Sequence, residues 1–132
     1  ELVKEYDTTT LCQAIKNRYK NRIVIYPDAS GKNKKTSASQ TDIDIIKSFG
    51  FIVKSLNSNP PVKDRVGIVN KRFQDGKSFV NSSKCPTLTE NLEQQSWRNG
   101  EPDKTGGQDH ANDAKGYFSY YNFMRKRKVI YQ

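Results

Sequence analysis

Arg22-Ile-Val-Ile-Tyr-Pro-Asp-Ala-Ser-Gly31 is the stretch on which the reading of this chain turns. Ile23, Val24, Ile25 and Tyr26 are four β-formers in a row, halted by Pro27 and Gly31, and they predict a short buried strand over 22–28. Asp28 then stands at the carboxyl end of that strand, where open α/β sheets hold their ligands. Taken alone, Pro27-Asp28-Ala29-Ser30-Gly31 is good turn chemistry, and Asp28 would be a turn residue. A second segment changes the balance. Gln108-Asp-His-Ala-Asn-Asp-Ala114 opens a helical pattern and carries Asp109, His110 and Asp113. One acid on a strand tip and an acid/His cluster at a helix start suggest a divalent-metal site.

Outward from the strand, helical and strand patterns alternate. Asp7-Thr8-Thr9-Thr10 offers an N-cap for a helix to about Tyr19, with Leu11, Ala14 and Ile15 on one face. A polar loop runs from Ala29 to Gln40. Thr41 or Asp42 caps a second helix that Gly50 ends, and Phe51-Ile-Val53 reads as a second short buried strand. A third helix from Pro61 or Val62 to Phe73 carries Val62, Val66, Val69 and Phe73 on one stripe. After the Asp75-Gly76 turn a strand is expected around 78–80. Pro86 opens a fourth helix whose period continues to Trp97, a packing residue, and 99–107 is a Gly/Pro/Asp loop. The last helix is expected from Asp109 to Met124, with its aromatics forming core on one face. The alternation gives an α/β class with at least partly parallel strands.

At 132 residues the chain is one domain by size. A hydrophobic fraction of 33% and a mean hydropathy of −0.90 leave a thin core. Lys and Arg total 23 against 14 Asp and Glu, and the net charge of +9 favours polyanionic partners such as nucleic acid. Cys12 and Cys85 form no CxxC pair, which fits a reduced cytoplasmic protein better than a disulfide scaffold. The Asn81-Ser82-Ser83 sequon carries no meaning without a secretory context. No stretch reaches the length of a membrane span and no signal peptide is visible, so no membrane partner is expected. Glu1 begins inside an apparent strand over 1–6, which suggests a fragment.

Four motifs in order carry a family resemblance: Tyr26-Pro-Asp-Ala-Ser-Gly31; Val62-Lys-Asp-Arg-Val66 with Asn70; Cys85-Pro86 with a Leu-containing helix; and Asp109-His-Ala-Asn-Asp-Ala114 with Tyr117. Together they resemble the C-terminal nuclease domain of the terminase large subunit of tailed bacteriophages. The resemblance implies an RNase H-like fold, a mixed sheet flanked by helices. It also implies a metal-dependent DNA endonuclease that cuts concatemeric viral DNA during packaging. Asp28 resembles the second acid of that centre, and Asp113 with His110 resembles the third. The first acid is expected on a strand upstream of Glu1, so 1–124 reads as a nuclease-like domain lacking its first strands, and 125–132 as a basic tail. Glu5 or Asp7 is a poor substitute, because their context matches the end of a preceding hairpin. The family's ATPase motor is not expected within these residues, since Gly31-Lys32 and Gly76-Lys77 lack P-loop spacing.

Under this resemblance Asp28, Asp113 and His110 are the catalytic and metal-binding candidates, and Mg²⁺ or Mn²⁺ the cofactor, since both prefer oxygen ligands. His110 shares a helix face with Asp113 at i−3; a lone His there is ordinarily a surface or capping residue. Asp109 reads better as a helix cap than as a ligand. Lys32, Lys34, Lys35, Arg65, Lys71 and Arg72 are candidates for DNA phosphate contacts, with a solvated charge run the competing reading for the lysines. Asp64 is a secondary candidate for orienting Arg65. Double-stranded DNA, the terminase small subunit and the portal are the partners implied, in the bacterial cytoplasm. Self-association through an exposed sheet edge is a further expectation. A non-catalytic nucleic-acid-binding module and an inert prophage remnant are the competing classes.

Overall fold

A computed structural model of the chain describes residues 1, 7–20, 22–33, 40–107 and 109–124. The expected opening strand and the 125–132 tail fall largely or wholly outside those residues. The elements follow in the order α1 (Thr8–Arg18), β1 (Val24–Ile25), α2 (Asp42–Ser48), β2 (Ile52–Val53), α3 (Val62–Gln74), α4 (Pro86–Gln94), β3 (Trp97–Arg98), β4 (Glu101–Pro102) and α5 (His110–Phe123). Strands β1 and β2 pair in parallel, Val24 opposite Ile52 and Ile25 opposite Val53, with α2 in the crossover between them. This is the α/β arrangement that the alternation predicts. Only two residues of the expected 22–28 strand enter the ladder.

The helix ends follow from local chemistry. Asp7 caps α1 by accepting from the Thr10 amide at 2.7 Å. Thr41 and Asp44 form a reciprocal capping box on α2, and Gly50 leaves that helix at φ +83°, a conformation that glycine adopts without strain. Pro86 stands at the start of α4. Cys85 supplies no side-chain cap there; the Glu1 carboxylate does, accepting from the Thr87 and Leu88 amides at 2.6 and 3.0 Å.

Burial is modest and split. Cys12, Ile43 and Ile46 are buried where α1 packs on α2. Val69 is buried with the polar Arg65 and Ser119 where α3 packs on α5, and α4 covers another side of α5. Asn112 ties α5 to α4, its Nδ2 donating to the Asn91 carbonyl at 2.9 Å and to Gln95 Oε1 at 2.7 Å.

Several expectations are corrected. Residues 78–80 form no strand, and Phe79 is 84% exposed, so no neighbouring sheet captures its apolar side chain. The fourth helix stops at Gln94, and Trp97 belongs to a hairpin instead. The expected loop from Asn99 begins as the turn and second strand of that hairpin. Asn99 and Gly100 adopt φ 53° and 78°, the two left-handed residues that a tight antiparallel connection requires. The aromatics of α5 are not a buried face: Phe118 and Tyr121 are exposed and meet Tyr26 edge-on at 5.2 and 5.4 Å. The buried residues of α5 are Gly116 and Ser119.

Candidate functional site

Asp28 follows β1 directly and caps a 3-10 turn over Ala29–Lys32, accepting from the Ser30 amide at 2.7 Å. Asn59 clamps it from the loop before α3. Its Nδ2 donates to Asp28 Oδ1 at 2.6 Å while its Oδ1 accepts from the Ala29 amide at 2.9 Å. The Tyr117 hydroxyl reaches Asp28 Oδ2 at 3.3 Å. Partial burial works to raise the Asp28 pKa, but these hydrogen bonds from Ser30, Asn59 and Tyr117 outweigh it and hold the carboxyl below its ordinary range. Asp28 builds its turn and stays ionised.

Tyr117 links this corner to α5. Its ring lies under the Arg65 guanidinium, with Cζ 4.6 Å from the centroid. Burial pushes the phenol up, against the pull of Arg65 and with the help of the Asp28 and Asp113 carboxylates, so it remains a hydrogen-bond donor. Arg65 is only 5% exposed and donates through Nη1 to Asp113 Oδ1 at 2.7 Å. Its Nε is buried with no hydrogen-bond partner among the described residues. Asp113 is four residues before Tyr117 on α5, so both face α3. Lys104 approaches the same carboxylate at 3.4 Å and that of Asp109 at 3.7 Å. The result is a continuous bridge: Asp28, Tyr117, Arg65, Asp113, Lys104.

Arg65 and Asp113 also line a cavity of about 100 Å³ beside Val69, Gln95, Asn112 and Trp97. Trp97 thus stands at the rim of this cavity, 54% exposed, and not in the core.

The predicted site residues fall in different places. Asp28 and Asp113 occupy opposite ends of the Tyr117–Arg65 link. His110 opens α5 and is exposed, outside that link. Asp109 holds the N-cap position of α5 without a side-chain cap hydrogen bond, and it is buried beside Lys104. No group of three His, Cys, Asp or Glu side chains gathers in a metal-binding arrangement among the described residues. Arg65 is not a surface cation available to DNA, because its guanidinium is engaged inside the bridge. Asp113, and not Asp64, orients it. Lys32 is exposed and donates to the Leu56 carbonyl at 2.6 Å. Lys34 and Lys35 lie outside the described residues. Lys71 is exposed and pairs with Asp75 at 3.2 Å, whereas Arg72 donates to the Lys77 carbonyl at 2.7 Å and covers the Phe123 ring.

Sequence reasoning missed Asn59 and Lys104. Neither lies in a periodic segment, and nothing local marks either of them. The i, i+4 relation of Asp113 and Tyr117 was available as a signal that the tyrosine shares the acid's face.

The ordered motifs agree with a comparison against known families, in which the terminase RNaseH-like domain matches residues 2–121. The chain belongs to that family. Comparison with curated proteins and with solved structures gave no match. The terminase match covers every residue of the bridge, Asp28, Arg65, Lys104, Asp113 and Tyr117, and the β1–β2 pair that precedes Asp28. No helix among the described residues of this terminase domain is long and apolar enough to cross a membrane.

Proposed function

We propose that this terminase domain is a divalent-metal-dependent DNA endonuclease that cuts concatemeric viral DNA as genomes are packaged, inside the bacterial host cell. The observation that carries the reading is the bridge itself. It joins an ionised acid at the tip of a parallel strand to an acid in the first turn of α5, through a buried arginine and a tyrosine.

The donor chemistry suits Mg²⁺ or Mn²⁺, which favour carboxylate oxygens. Asp28 and Asp113, with His110 one turn earlier on α5, are the residues that would hold the metal, although the described structure keeps the two acids apart across the Tyr117–Arg65 link and does not gather the three. The set is partial, and a further carboxylate from outside the described residues would complete it. Such an ion, when bound, supplies activation of water and stabilisation of the leaving oxygen in phosphodiester hydrolysis. The chain's own contribution is positional. Asn59 and the Ser30 amide fix the Asp28 carboxylate, Tyr117 donates to it, and Arg65 holds Asp113 at the other end. The small subunit and portal of the packaging machine are the protein partners this function implies.

Plasmid cleavage in Mn²⁺, with and without EDTA, tests the reading. Cutting should require the metal and disappear in Asp28→Asn and Asp113→Asn, both checked for folding. Cutting that survives both substitutions removes the site assignment. A second reading, a non-catalytic nucleic-acid-binding module, draws on the neutralisation of Asp113 by Arg65 and Lys104. It predicts salt-sensitive DNA binding that is indifferent to EDTA and no cutting at all.

A further inference from the structure

The carboxyl end of β1–β2 opens on a cleft of about 400 Å³ lined by Lys32, Lys47, Lys54, Asp44, Ser55 and Tyr121, among others. Three lysines and one aspartate are among its lining residues. Asp44 is already committed to the α2 capping box, its Oδ2 accepting from the Thr41 amide at 3.1 Å and from Thr41 Oγ1 at 2.7 Å. Gathered cations that outnumber their counter-charges repel one another, and a polyanion laid among them relieves that repulsion and releases bound counterions.

The cleft has a direction. Lys54, Ser55 and Tyr121 also line the adjoining recess, whose other walls include Asn59 and Tyr117. Those two side chains are the ones that hydrogen-bond Asp28. A chain of phosphates lying in the basic cleft would therefore lead to the Asp28 carboxylate. Tyr121, an exposed ring at the junction, offers an apolar edge to a sugar, while the lysines act as point charges that position a backbone without reading bases.

We propose that this cleft is the backbone track for duplex DNA, in which Lys47 and Lys54 neutralise phosphates of the strand that is led to Asp28. The endpoint of the track rests on the nuclease reading; the track itself does not. Lys47 and Lys54 are both exposed, so Lys47→Gln/Lys54→Gln should leave the fold intact, as circular dichroism and melting would verify.

Binding of a short duplex is followed by fluorescence anisotropy in EDTA across a series of salt concentrations. The double variant should lose roughly tenfold or more in affinity at low salt. The slope of log affinity against log salt should fall by about 2, at roughly 0.9 per lost phosphate contact. The loss should be the same for duplexes of unrelated sequence. Lys63→Gln/Lys84→Gln removes the same charge from residues that line neither recess, and should change the slope far less. An unchanged slope in the Lys47/Lys54 variant, or an equal loss in the control, overturns the track. Asp28→Asn should bind with the wild-type slope. If the track variant loses binding while Asp28→Asn leaves any metal-dependent cutting unchanged, the track stands and the assignment of its endpoint fails. Metal-dependent cutting with an unchanged slope is the reverse result.

Discussion

Arg65 Nη1 lies 2.7 Å from Asp113 Oδ1, and this contact joins α3 to α5 with the arginine almost wholly removed from solvent. Replacing Arg65 by Ala leaves the carboxylate without its main partner and empties the space over the Tyr117 ring. A loss of about 2–4 kcal/mol in urea unfolding is expected, toward the lower part of the range for broken buried pairs because Asp113 is 26% exposed. Arg65→Lys should recover less than half of it, since an ammonium reproduces neither the fork nor the stacking. Lys104→Ala, which removes a 52% exposed lysine from the same carboxylate, should cost no more than about 0.5 kcal/mol.

Two helical glycines should respond in opposite directions to alanine. A Cβ on Gly116 would sit 3.3 Å from the Arg65 Cβ, so α5 and α3 would have to separate while the bridge resists. Gly116→Ala is expected to destabilise by about 1 kcal/mol in spite of its better helix propensity. Gly67, in α3, has nothing within 4 Å of such a Cβ, and Gly67→Ala should stabilise by about 0.5–1 kcal/mol. Thermal melts of the two variants side by side check the contrast.

The Asp28 carboxyl titrates below its unfolded value of about 3.9, so its contribution to stability is fully present above that pH. That contribution is lost as the pH falls through the lower, folded value. Urea midpoints of the wild-type chain and Asp28→Asn should therefore differ most near neutrality and converge in acid. A difference that holds constant down to the most acidic conditions would show that the hydrogen bonds do not favour the ionised form.

Gly100 occupies φ 78° beside Asn99 at 53°, and a β-branched residue there is strained by about 1–3 kcal/mol. Gly100→Val should open the β3–β4 hairpin while leaving the helices in place. Trp97, the single tryptophan, stands in β3 and reports the change. Its emission should shift, with far-ultraviolet circular dichroism almost unaltered.

The legible parts of the fold are those governed by local rules. Thr41, one of two cap candidates, marks the start of α2, Pro86 that of α4, Gly50 a helix end, and the Ile23–Tyr26 run its strand. Arg65 was not legible as a buried residue. A charged side chain between Val62 and Val69 reads as solvent-facing until the partner that neutralises it, 48 positions away, is known. The Asn99-Gly100 pair is a hairpin signal in itself, but Trp97-Arg98 and Glu101-Pro102 lack the alternation that would support it. At the candidate site, Asp28 and Asp113 could be singled out from motif and spacing. Their connection through Tyr117 and Arg65 could not, because it depends on how two helices pack.

The shallow core has a thermodynamic counterpart. Among the described residues few apolar side chains are fully withdrawn from water, and charge and hydrogen bonding help to hold α3 against α5. Unfolding such a chain hydrates little new hydrocarbon. Its heat-capacity increment should fall below the usual value of about 12–15 cal/mol/K per residue, and its denaturant dependence should be correspondingly weak. The stability curve is then broad and flat, so this domain would lose its structure gradually on warming and resist the cold.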